Sequence, residues 1–72
     1  MTTSTELRAA LNAAVRQLEH SGTDSARLDA EVLLAHVLDK QRVYLLTWPE
    51  QALTDEQHNH YQQLIDQRIQ GI

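Results

Sequence analysis

Residues 25–38 read SARLDAEVLLAHVL, and the fold turns on how much of that segment's circumference is apolar. At helical spacing Ala30, Leu33, Leu34, Val37 and Leu38 share one face. Leu28, Val32 and Ala35 widen it until little but a strip around Arg27, Glu31 and Asp39 stays polar. A helix so broadly apolar is expected at the centre of a bundle, touched from several sides. Asp24 or Ser25 is placed to cap it, and Asp29 lies near the first turn, where the helix dipole favours a carboxylate.

Upstream, Leu7, Leu11, Ala14, Val15 and Leu18 form a second stripe. Thr3 and Glu6 have the spacing of a capping box. That helix should end near His20, with Gly22 taking a left-handed conformation. Downstream, Asp39–Gln41 reads as a break, and RVYLLTW (Arg42–Trp48) admits two readings. Its Val, Tyr, Thr and Trp suit a strand. A lone strand would leave its backbone unpaired, so a short helix presenting Leu45, Leu46 and Trp48 is preferred. Pro49 ends it. Thr54 then caps a last helix, with Gln57 completing a capping box and Asp55 and Glu56 in the first turn. Tyr61, Leu64, Ile65 and Ile69 should face inward, with His58 a turn earlier, and Gly71 should stop the helix behind Arg68. The expected fold is all-α, a small bundle of four to five helices with mostly antiparallel neighbours.

The 72 residues leave room for one domain and little depth for an active site. Two glycines, Gly22 and Gly71, cannot make a glycine-rich phosphate or dinucleotide loop. With no cysteine there is no disulfide or thiolate chemistry. The net charge of −4 disfavours direct nucleic-acid binding, and no segment has the length of a membrane span. The N-terminus does not read as a secretory signal, so a cytoplasmic location is expected. Among the histidines, His58 and His60 diverge on their helix and cannot share a metal, and His36 falls in a polar cluster with Asp39 and Lys40. Asp29 and Glu31 diverge likewise, and Ser21, Ser25, Thr47 and Thr54 are explained by helix ends. No catalytic, cofactor-binding or metal-ligating residue is assigned.

Two features invite a partner. Arg8 and Arg16 could share a face of the first helix, although a solvated pair is the simpler reading. Trp48 is expected in the core, given the absence of Phe, and becomes the leading interface residue if it proves exposed.

The ordered run SARLDAEVLLAHVL, then Arg42, then LTWPEQALTDEQ and RIQG resembles the N-terminal domain of the HemK/PrmC family, from about Glu6 to Ile72. The matching positions are Ala26, Asp29, Ala30, Leu33, Leu34, Arg42, Arg68 and Gly71. Ser21–Ser25 lacks the proline that members often carry before the second helix. The resemblance implies a helical domain linked to an S-adenosylmethionine-dependent methyltransferase domain. Full-length members methylate the glutamine of the Gly-Gly-Gln motif in peptide chain release factors. The family's Asn-Pro-Pro-Tyr signature lies in that second domain and has no counterpart here, so no catalytic residue carries over. On this resemblance the chain is one domain, residues 1–72, cut at its linker and monomeric. It holds no cofactor itself and helps to position the release factor, while the parent protein is the enzyme. A stand-alone helical protein-protein adaptor is the alternative.

Overall fold

The computed structural model describes residues 5–71. Four helices form: α1 (Leu7–His20), α2 (Ala26–Leu38), α3 (Arg42–Thr47) and α4 (Asp55–Gln70). The small all-α bundle anticipated from periodicity is what the chain adopts.

The α1 stripe is buried from Leu7 to Leu18, with Ala10 joining it. On α2, Ala26, Ala30, Leu34 and Leu38 enter the same core, and α2 packs against each of the other three helices. Tyr61 and Ile65 close the core from α4, and Leu45 and Leu53 seal one end. Five of the buried positions on α1 and α2 are alanines, so backbones approach closely and the core is thin. α1 and α2 run antiparallel, as do α2 and α4. Asp29 at the start of α2 meets Arg68 at the end of α4, and His36 late in α2 meets His60 early in α4. α4 therefore runs in the same sense as α1, which Gln17–Gln62 contact fits.

The helix ends follow local chemistry. At α4, the Gln57 amide donates to Thr54 Oγ1 at 3.1 Å, and the Thr54 amide donates to Gln57 Oε1 at 3.0 Å. Gly71 closes α4 at φ 79°, and Gly22 follows α1 at φ 90°. Asp39 ends α2 in the left-handed region at φ 56°, a conformation Asp tolerates better than most residues.

Other expectations need correction. Glu6 is not the third residue of a capped helix. It is extended, occupies the N-cap position of α1 without a side-chain bond, and forms an antiparallel bridge with Ala52. Thr3 lies outside the described residues. Ser25 takes the N-cap position of α2, again without a side-chain bond. Leu28 and Val32 are exposed, because α2 is covered on three flanks and not on the fourth. Ile69 is 39% exposed, since α1 ends at His20 and leaves the last turn of α4 uncovered.

The loop after α3 is held by backbone pairing with the segment entering α1. The Leu53 amide donates to Thr5 O at 2.9 Å, Leu7 to Gln51 O at 2.7 Å, and Arg8 to Pro49 O at 2.9 Å. Extended chain does occur here, but only as an isolated bridge between segments distant in sequence, and no strand forms among the described residues.

Candidate functional site

Six residues are too few for an independent helix, so α3 depends on what ties it down. Leu45 is buried, and Arg42 reaches back to Glu31 of α2 at 2.8 Å. Tyr44 is half-buried, with its hydroxyl on Gln51 and Lys40 Nζ 5.5 Å from its ring centre. Once Leu45 points inward, helical geometry turns Val43 and Leu46 away. Pro49 then forces Trp48 out of the helix. The outcome is three large apolar side chains in water: Val43 at 61%, Leu46 at 76% and Trp48 at 57% exposure. Trp48 was expected in the core. With Leu45 and Leu53 already filling that end, the indole has no volume left to enter.

Two grooves adjoin these residues. One, of 320 Å³, runs between α1 and α3, lined by Leu11, Leu45, Leu46 and Pro49 together with Arg8 and Arg27. The other, of 540 Å³, lies along Thr47–Gln51, and the two share Pro49. Arg8 arrives there because its amide is bonded to Pro49 O. Arg16 does not join it. Eight residues further along α1, about 12 Å by helical rise, it lines a separate groove with His20 and Ile69. Arg8 and Trp48 thus belong to one end of the bundle, and Arg16 belongs to the other.

The positions that carried the sequence resemblance prove architectural in their contacts. Ala26, Ala30 and Leu34 are core, and Leu33 packs at its edge. Asp29 pairs with Arg68 at 3.0 Å, tying α2 to α4. Arg42 ties α3 to α2, and Gly71 supplies the left-handed turn. Glu31, passed over as part of a polar strip, is the hub of that second tie. Its side chain is 13% exposed and meets both Arg42 and, at 3.7 Å, Arg27. The Arg27–Glu31 spacing of four was the available signal.

The remaining titratable groups converge on no chemistry. Among the described residues no three His, Cys, Asp or Glu side chains gather as a metal site would require. His36 and His60 meet edge to face, with ring centres 6.5 Å apart. A wide groove of 660 Å³ at the start of α2 has Glu19 and Asp24 in its lining and no nucleophile held against a base. Tyr61 is displaced from its ordinary ionisation range. Burial pushes its hydroxyl upward, with the Glu31 carboxylate adding to the effect, and the neutral hydroxyl donates to Ala30 O at 2.8 Å. No helix among the described residues is long and apolar enough to cross a membrane.

Comparison with known proteins bears on this arrangement. The chain is 44% identical over 68 residues to a release factor glutamine methyltransferase of Aliivibrio fischeri, covering 94% of this chain and 24% of that protein. It is 60% identical over 50 residues to the one of Vibrio cholerae, covering 69% and 18%. With that of Escherichia coli it shares 41% over 61 residues, covering 85% and 21%. The chain therefore spans about a quarter or less of the relatives it matches. No solved structure matches. The family model described as the PrmC N-terminal domain matches residues 9–72, and the chain belongs to that family.

Proposed function

We propose that this chain is the part of a release factor glutamine methyltransferase that grips the release factor and sets its glutamine in reach of chemistry performed elsewhere in the whole protein. The observation that carries the reading is the end of the bundle built by α3, where Val43, Leu46 and Trp48 stand in solvent beside a groove. Clustered large apolar side chains on a small domain are characteristic of interaction surfaces, and Trp is prominent among residues that dominate binding energy. Binding of a substrate away from the reacting atoms accelerates a reaction when it orients them.

Methyl transfer and S-adenosylmethionine binding are assigned to the other domain of the full-length protein. What supports this assignment is that every buried polar side-chain atom among the described residues is already paired and that the two glycines sit in separate helix-ending turns. The place of action is the cytoplasm, where release factors work.

The test is made in a full-length methyltransferase that carries this chain as its N-terminal domain. Deleting residues 1–72 should lower kcat/KM for intact release factor at least about tenfold, the scale on which hot-spot contacts are felt. An unchanged kcat/KM would overturn the positioning role.

A further inference from the structure

Resting on the release-factor reading above, we infer that the groove between α1 and α3 receives a release-factor segment in which an acidic side chain is flanked by apolar ones. The groove is mostly apolar, with Leu11, Leu45 and Pro49 in its lining and the exposed Leu46 at its edge, and two arginines line it, Arg8 and Arg27. Its 320 Å³ lies at the small end of the range for binding clefts. That is room for a few side chains, not for a folded surface.

The charges around the groove show why an acid is the matching group. Arg8 has Glu6 as its ion-pair partner among the described residues, at 3.8 Å, with both side chains about half exposed. Arg27 shares Glu31 with Arg42. Arg42 holds that carboxylate at 2.8 Å and also donates through Nε, whereas Arg27 stands at 3.7 Å. One carboxylate between two guanidiniums leaves a cationic excess, and Arg27 is the looser of the two. Glu50 lies beyond Pro49 in the neighbouring groove, not in this one. The cleft is thus locally cationic and mostly apolar on a chain of net charge −4. An incoming carboxylate would gain a charge-assisted, geometrically matched contact with a guanidinium fork. The apolar neighbours of that acid would cover Leu46 and reach Trp48 across Pro49, which lines both grooves.

The isotope-labelled 72-residue chain is titrated with intact peptide chain release factor and followed by amide chemical shifts, with affinity measured at about 0.05 and 0.5 M salt. The expected shifts lie at Arg8, Arg27, Leu46 and Trp48, and affinity falls as salt rises. The double variant Arg8→Glu, Arg27→Glu should bind about tenfold or more weakly and lose most of the salt dependence. Leu46→Ala, at a position too exposed to affect folding, should weaken binding without changing the salt dependence. Arg16→Glu, at the other end of the bundle, should bind within about twofold of the unaltered chain. Tight binding with shifts confined to the Arg16–Ile69 groove, or groove variants that bind as the unaltered chain does, would overturn the acidic-segment inference and leave the release-factor reading standing. A tighter response to a short single-stranded RNA than to release factor would also overturn it. No response to release factor in any form of the chain would overturn the release-factor reading, and this inference with it.

Discussion

Tyr61 brings the one hydroxyl of the core to a defined acceptor. Its ring is 3% exposed, and its O–H donates to the Ala30 carbonyl of the neighbouring helix. Tyr61→Phe keeps the packing and removes that bond, so urea denaturation should show a loss of about 1 kcal/mol. The same residue sets an alkaline limit. Its ionisation in the folded chain lies above the ordinary tyrosine value because burial disfavours the phenolate. Below about pH 10, where a tyrosine in the unfolded chain is also neutral, the native hydroxyl contributes fully. Above it the unfolded chain can release the proton and the folded one cannot, so stability should fall as pH rises further. Tyr61→Phe should flatten that decline in melting curves taken between about pH 9 and 11. Leu34 makes the complementary point about packing. It is completely buried on the central helix, so Leu34→Ala should cost about 2–5 kcal/mol. For a domain of this size that is a large share of the total, and a variant already partly unfolded at room temperature in circular dichroism is the expected observation.

At the scale of elements, two helix ends offer changes of opposite sign. Thr54→Ala removes one side of the capping box on α4 and should destabilise the chain by about 1 kcal/mol. Asp39 ends α2 with a positive φ and no glycine, and its carboxylate sits where the helix dipole is negative. Asp39→Gly should therefore stabilise by roughly 0.5–1 kcal/mol, read as a rise in the denaturation midpoint. These ends also mark what could be read in advance. The Thr54 box, the stops at Gly22 and Gly71, and the α1 stripe are written within a few residues of one another, so the sequence displays them. The Thr3–Glu6 box misled because the same residues can be claimed by a distant partner. Glu6 is drawn into extended pairing with Ala52, an interaction to which local spacing gives no clue. The choice of helix for Arg42–Thr47 stood, but its orientation was not legible. Which of Leu45, Leu46 and Trp48 turns inward depends on the space that α1 and α2 leave, not on α3 itself.

Across the whole molecule, the core is legible in the sequence and the exposed surface only partly. Arg8, Arg16 and Trp48 were singled out from one sequence, yet the fold gathers two of them and removes Arg16 to the far end. Arg27 reaches the same groove from α2, and Arg68 finds Asp29 across 39 residues of chain. Such meetings arise from helix packing and leave no periodic trace. Trp48 departs from its expected place for a related reason, since large aromatics are buried on average but Leu45 and Leu53 take the core positions at that end. The placement of Trp48 also gives the most direct measurement. In a full-length methyltransferase carrying this chain, kcat/KM is compared for intact release factor and for a short peptide containing the Gly-Gly-Gln motif, with Trp48 present and with Trp48→Ala. The account predicts a fall of about tenfold or more for the intact protein and a change within about twofold for the peptide. An intact-protein rate that does not fall, or an equal fall for both substrates, would contradict it.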